Sequence, residues 1–326
     1  MTARCRIILL GAVALFAIML GFEPVSAQDH YPSRVVKLVV PYPAGGSLDA
    51  VSRFVAQELT ERLNQTFIVE NRGGAGGTVG SAAVAQAEPD GYTILMVVDS
   101  HAINPSLFPK LSYDAQKDFQ PIVLIGKAPL ILVVPKSSPY NTASDLIAAA
   151  RAKPSTLPLG TLGRGSQPDL AGYLFAKQAG VQFAEIPYSG GGAVHKDILS
   201  GELQAAFLTQ GAIAGLIRNG DLKPLGVTAP ERTAMFPQVP TMREQNYDIT
   251  NQYWFGMVIR AQVPDPIVEK LETTMMQIMA SEQFKKRLAT IAIDVTPLNR
   301  TEFKKYIADE TKKWAETISS MNRQVN

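Results

Sequence analysis

Short β-branched runs alternate with helix-period segments over most of this chain, and few folds accept that order. Val35 to Val40 is the first run, stopped by Pro41 and Pro43. Ala44-Gly45-Gly46-Ser47 then turns the chain, and Leu48 to Leu63 has its apolar residues at helical spacing. Thr66 to Glu70 is predicted as a second strand, Val79 to Gln86 as a small-residue helix and Tyr92 to Val98 as a third strand. Successive β-α-β units imply right-handed crossovers and a largely parallel sheet. A second series starts at Leu130 to Val134. It continues through a helix at Leu146 to Ala152, capped from Asn141 to Asp145, a strand at Leu157 to Thr161 and a helix at Asp169 to Ala179. Strand Phe183 to Ile186, helix Ala193 to Ser200 and strand Leu203 to Leu208 complete it. Pro121 to Ile125 leads out of the first series and Leu225 to Thr228 returns. The segment from about Met235 rejoins the first series and ends in helices Pro264 to Ser281 and Thr301 to Met321. The expected fold class is α/β with two lobes, each a mixed, mostly parallel sheet flanked by helices. Lobe 1 is discontinuous, 28–126 plus 235–326, and lobe 2 is 127–234.

Residues 1–27 stand apart from this pattern. Arg4 and Arg6 precede an apolar run from Ile7 to Leu20, and Val25-Ser26-Ala27 is a small-x-small cleavage pattern. The run is shorter than the roughly 20 residues a spanning helix needs. A signal peptide cleaved near Ala27 and a periplasmic destination are therefore expected. Cys5, the only cysteine, lies ahead of the apolar run, whereas a lipid-anchored exported protein carries its cysteine after it. The mature chain then has no disulfide, thiol nucleophile or thiolate metal site. Lys and Arg number 31 against 29 Asp and Glu, so no nucleic-acid surface is expected and any anion must be held by local groups.

The histidines, His30, His101 and His195, show no metal-ligand spacing, and Ser166 is not set in a Gly-x-Ser-x-Gly elbow. The Asn71 to Gly77 loop misses the dinucleotide spacing, because Val79 stands where the third glycine belongs. It reads instead as a loop that lets another segment pack closely. No catalytic residue, cofactor or metal is expected. A hydrolase using Ser47 or Ser166 with His101 and Asp49 is the enzyme alternative.

Candidate binding residues gather where strands end. Ala44 to Asp49 joins a strand to a helix start, whose first amides lack intrahelical partners and carry partial positive charge. Gly45 and Gly46 let an oxyanion approach the backbone, and Ser47 adds a hydroxyl donor. Asp49 stands in the first helical turn and is expected to orient the loop. Gly163-Arg164-Gly165-Ser166 repeats the arrangement in the second series. Arg164 is either a bidentate carboxylate partner or a solvated loop-tip side chain. Ser166 is the stronger donor, directly or through water. His101 and Ser100 follow the third strand, His101 being either an anion donor or a packed loop histidine. Tyr42 offers an apolar wall with a polar tip, and Tyr188 and Ser189 precede a run of glycines. Trp254 and Phe255 are expected in the core.

Several segments, in this order, give the chain a strong resemblance to the solute receptors of tripartite tricarboxylate transporters, often called Bug receptors. They are Pro41-Tyr42-Pro43-Ala44-Gly45-Gly46-Ser47-Leu48-Asp49, Asn71-Arg72-Gly73-Gly74-Ala75-Gly76-Gly77, Glu88-Pro89-Asp90-Gly91-Tyr92-Thr93, His101-Ala102-Ile103-Asn104-Pro105, Gly163-Arg164-Gly165-Ser166, Ile186-Pro187-Tyr188-Ser189-Gly190-Gly191 and Phe236-Pro237-Gln238-Val239-Pro240-Thr241. The resemblance implies a two-lobed periplasmic-binding-protein (Venus flytrap) fold whose two pincer loops, Ala44 to Asp49 and Gly163 to Ser166, hold one ligand carboxylate. It implies di- or tricarboxylates, aromatic acids or acidic amino acids as ligands. Membrane transporter subunits are the expected partners, with a sensor kinase in a signalling alternative, and the receptor is expected to be a monomer. The chain departs from the family pattern at Asp169, where a His commonly stands, at Gln204 and at Gly73-Gly74. Asp169 is expected to add negative charge near the cleft.

Overall fold

In the computed structural model the described residues are 31–163, 165–188 and 191–321. The expected signal peptide lies outside them. One compact unit begins at Arg34 and carries every helix and strand named below. It opens with β1 (Val36–Val40), α1 (Ser47–Leu63), β2 (Phe67–Asn71), α2 (Thr78–Ala85), β3 (Thr93–Val98) and α3 (Ser100–Leu107). β1 lies parallel between β2 and β3, as the β-α-β reading requires. Leu38 and Leu95 are fully buried, because helices cover the sheet.

Next comes β4 (Phe119–Pro135), one strand of 17 residues where the sequence reading has two. Gly126, Lys127 and Pro129 interrupt its apolar run, and register shifts near Val123 and Gly126 absorb the irregularity without ending the ladder. The chain continues through α4 (Ala143–Ala152), β5 (Pro158–Thr161), α5 (Gln167–Ala179), β6 (Ala184–Pro187), α6 (Gly191–Ser200), β7 (Ala205–Thr209), α7 (Gln210–Arg218) and β8 (Leu222–Val227). β5 is parallel to both β6 and β7. The cap expected before α4 is a reciprocal one: Asp145 N–H donates to Thr142 Oγ1 at 3.1 Å and Thr142 N–H to Asp145 Oδ2 at 3.0 Å. The tail adds β9 (Gln252–Arg260), α8 (Asp265–Ala280), α9 (Glu282–Ala289), β10 (Asp294–Leu298) and α10 (Arg300–Ser320).

β4 serves both series. Up to Pro129 it is antiparallel to β9, and from Leu130 it pairs antiparallel with β7 and β8. The strand order is β2-β1-β3-β9-β4-β7-β5-β6. The changeover is pinned by Thr228. Leu130 N–H donates to its Oγ1 at 2.9 Å, Thr228 N–H donates to Leu130 O at 2.9 Å, and the Thr228 hydroxyl also reaches Asn251 O. Three returning segments thus meet at one point.

Each half has its own core. Val39, Leu95, Ile103, Trp254, Phe303 and Trp314 pack beside β3 and β9, with Trp254 edge-on to Phe303 at 5.5 Å. Leu132, Leu159, Phe175 and Phe207 pack on one face of the second group of strands, and Val133, Ile198 and Ile213 on the other. Trp254 and Phe255 are core residues as expected, although the strand that carries them, β9, was not predicted.

Candidate functional site

β1 ends at Val40 because Pro41 and Pro43 cannot extend its ladder. The following turn is closed by a side chain. Gly45 takes a left-handed φ of 94°, and its N–H donates to Asp49 Oδ2 at 3.1 Å. Asp49 is also held by Arg53 through Nε and Nη2, both at 3.0 Å, and by Asn71 Nδ2 at 3.0 Å. Burial alone would raise the Asp49 carboxyl. The hydrogen bonds from Arg53, Gly45 and Asn71 outweigh burial and hold it below the usual range. Asp49 therefore orients the loop, as expected from its place in the first turn. Gly46 is the N-cap of α1 and has no side chain to cap it, so the Ser47, Leu48 and Asp49 amides begin the helix uncapped.

The glycine loop after β2 carries this turn. A methyl on Gly73 would stand 3.0 Å from Pro43 Cδ, so the loop does let the first turn pack closely. Tyr42 OH donates to Gly76 O at 3.2 Å and lies 2.6 Å from Ser100 Oγ, so Ser100 is the donor of that pair. Burial raises the Tyr42 phenol.

The second loop is built on the same rule with a different outcome. Gly165 also has a left-handed φ, 74°, and its N–H donates to Asp169 Oδ2 at 2.9 Å. Ser166, however, caps its own helix. Its Oγ accepts from Asp169 N–H at 3.4 Å and donates to Gly163 O at 2.8 Å. Pro168, in the first turn of α5, supplies no N–H. The Ser166 hydroxyl proton, expected on the ligand, is thus spent inside the loop.

Both loops border one cavity of about 1530 Å³. Tyr42, Ala44, Gly46, Ser47, Asp49, Ser100, Gly165 and Ser166 stand in its wall. Gly45 and Gly163 are in the loops but not in the wall. Three expectations need correction. His101 is buried with its ring edge-on to Phe119 and Nε2 on Ala115 O at 3.0 Å, away from the cavity; burial lowers it to about 4, so it is neutral. Asp169 is 3% exposed, stands outside the cavity wall and accepts from the Gly165 amide. Tyr188 donates to Asp197 at 2.7 Å and does not line the cavity; burial, then the Asp197 contact, pushes its phenol up to about 12. Arg164 and Ser189 lie outside the described residues.

The structure adds wall residues that sequence reasoning missed: Asp99, Asn104, Gln167, Thr209, Tyr253 and the stretch Thr290 to Ile293. Asp99 closes β3, so the signal that marked Ala44 and Gly163, a polar residue at a parallel strand's carboxyl end, was present there too. Burial raises the Asp99 carboxyl to about 7, against a modest opposing pull from the nearby Gln167 amide. Asp99 Oδ1 and both amide atoms of Gln167 nevertheless lack a partner at hydrogen-bonding geometry. A further helix start, that of α7, also opens here through Thr209, Gly211 and Ala212. Among the described residues no group of three or more His, Cys, Asp or Glu is placed to hold a metal, and no helix is long and apolar enough to cross a membrane.

An α/β chain that turns uncapped helix amides and backbone loops toward one large cavity has the fold and site of a solute-binding protein. The chain belongs to the tripartite tricarboxylate transporter receptor family, whose model matches residues 51–323. It is 33% identical to Protein BugT of Bordetella pertussis over 315 residues, which cover 95% of this chain and 96% of that one. A TctC solute-binding protein from Polaromonas is 29% identical, with a TM-score of 0.79 over 89% of this chain and 99% of that structure. Rpa4515 of R. palustris, solved with adipate, is 30% identical, with a TM-score of 0.78 over 89% of this chain and 98% of that structure. The resemblance drawn from the loop motifs is thereby shown.

Proposed function

We propose that this protein is an exported periplasmic receptor that captures a small organic carboxylate for a tripartite tricarboxylate-type transporter and does no chemistry on it. One observation carries the reading: α1 presents uncapped amides to a cavity that the second loop also borders. Adipate in Rpa4515 supports a carboxylate as the ligand class. The lobes are 28–126 plus 235–326 and 127–234. β4 and the segments meeting at Thr228 join them and take up the rotation when they close. A carboxylate touching both loops is fully satisfied only in the closed form, and that difference shifts the population.

Ser47→Pro tests the site. Ser47 is the first helical residue, where proline is tolerated, and Gly46 is already extended at φ −82°, ψ 171°. The substitution removes one donor amide and spares the helix. A charged hydrogen bond of this kind contributes about 2 kcal/mol, so calorimetry is expected to show Kd rising by more than about tenfold. An unchanged Kd for a carboxylate that binds the wild type would remove the first loop from the site.

A further inference from the structure

We infer that Asp99 makes this cavity select monocarboxylates over acids that carry a second carboxylate; the inference rests on the carboxylate-receptor reading above and names its ligand class. Asp99 is 3% exposed, lines the cavity and leaves Oδ1 without a partner. The other carboxylate in the wall, Asp49, is neutralised by Arg53 at 3.0 Å. Among the described residues lining the cavity there is no Lys, Arg or His. Much of the remaining wall is apolar, including Leu48, Val98, Ile103, Leu107, Phe108 and Phe255.

A ligand carboxylate has the uncapped α1 amides to receive it. The α7 start is a poorer second receiver, because Gly211 is pressed on the 291–292 backbone: a methyl there would stand 3.0 Å from Ile291 O. A second carboxylate enters apolar space with no cation among the described wall residues and approaches an acid whose Oδ1 has no partner. The groups that face Asp99 do not cancel its charge. They are the Gln167 amide, the phenols of Tyr42, Tyr253 and Tyr306, the Glu310 carboxylate and the Lys313 ammonium. Lys313 is the one cation among them, and it is paired with Glu310 at 2.9 Å. Lys127 nearby sits over the Tyr306 ring at 4.2 Å. Asp99 at about 7 is an anion above neutrality and an O–H donor below it, so discrimination against a second carboxylate grows with pH.

Two matched pairs of acids test this on the purified full chain by calorimetry: hexanoate against adipate and benzoate against terephthalate. Within each pair the body is the same and one carboxylate is added. The expected result near pH 8 is that the monoacid binds about tenfold tighter or better. Near pH 6 the gap narrows in the wild type, because Asp99 takes up its proton. Asp99→Asn narrows the gap near pH 8, chiefly by tightening the diacid. The wild-type comparison and its pH course stand whether or not the variant folds. A diacid that binds more tightly than its matched monoacid overturns the inference alone, and Arg164→Gln then shows whether Arg164 supplies the missing cation. A gap that neither pH nor Asp99→Asn moves removes Asp99 from the role. Heat from none of the four acids overturns the carboxylate reading together with this one.

Discussion

The loops at Gly45 and Gly165 share a skeleton and differ at the N-cap. In both, a left-handed glycine donates its N–H to an aspartate four residues on, at 3.1 Å in one and 2.9 Å in the other. In the first loop the N-cap is Gly46, and the helix start has no side-chain cap. In the second the N-cap is Ser166, which takes up the Asp169 amide and gives its own proton to Gly163 O. The first loop thus leaves donor amides open and the second is largely satisfied by itself. Loop shape and loop function are set by different residues: the Gly–Asp pair makes the shape, and the cap decides whether donors are left over.

Asp99 shows what the two loop aspartates avoid, and it gives the largest expected effect. It also ends a strand, but no loop amide reaches its Oδ1. Its carboxyl stands at about 7 in the fold against 3.8 ordinarily, so the folded state favours its neutral form. The stability it lends is intact below about 3.8 and drains away as pH rises through about 7. Asp99→Asn is therefore expected to gain on the wild type between pH 4 and 8, by up to about 4 kcal/mol at the alkaline end. Denaturant midpoints across that range would check it. Asp49 has the opposite sign. Its depressed carboxyl stabilises the fold above the ordinary carboxylate range, and that contribution is lost on acidification. Parallel titration curves for Asp99→Asn and wild type would show that the fold does not raise the Asp99 carboxyl.

Next in size is the contrast between the loop aspartates themselves. Asp49 answers to Gly45, Arg53 and Asn71, and its removal strands the Gly45 amide, while Asn71 keeps its bond to Tyr42 O. With half-exposed Arg53 discounted, Asp49→Ala is expected to cost about 2–3 kcal/mol and to weaken ligand binding with it. Asp169→Ala strands the Gly165 amide and is expected to cost about 2 kcal/mol with a smaller loss of affinity. Equal losses of affinity in calorimetry would dissolve the distinction between the loops. Ser47→Pro comes third, an effect on Kd with little on stability.

Much of this was legible in the residues. The β-α-β order fixed the parallel parts of the sheet, and Pro41, Gly45 and Asp49 marked the first turn from chemistry alone. What stayed hidden involves residues that read differently in isolation. Pro105 broke the pattern of α3, which stands because it packs against α10. α7 follows β7 at once, with no breaker between Thr209 and Gln210, so no start signal appeared. Trp254 and Phe255 were recognisable as apolar but not as a strand, since β9 is defined by its partners β3 and β4. At the site, the composition of a loop names possible donors but not which are already used. Ser166 and Asp169 looked available in sequence and are committed to each other and to Gly163 and Gly165 in the fold. His101 looked available beside Ser100, and one residue of helical rotation turns it to Ala115 instead.

The smallest effect tests the cap directly. Ser166→Ala removes the acceptor of the Asp169 amide and the donor to Gly163 O while leaving the Gly165–Asp169 contact in place. Loss of a serine N-cap costs about 1 kcal/mol, which for a chain this long lowers Tm by roughly 2 °C. The Asp169 N–H is freed by the same change. If self-satisfaction is what keeps the second loop a weak anion holder, the alanine variant binds a carboxylate no worse than the wild type while melting earlier. If the Ser166 hydroxyl instead reaches the ligand, affinity falls together with Tm. Calorimetry and a melting curve on one variant separate the two outcomes, because a cap and a ligand donor move the two readouts differently.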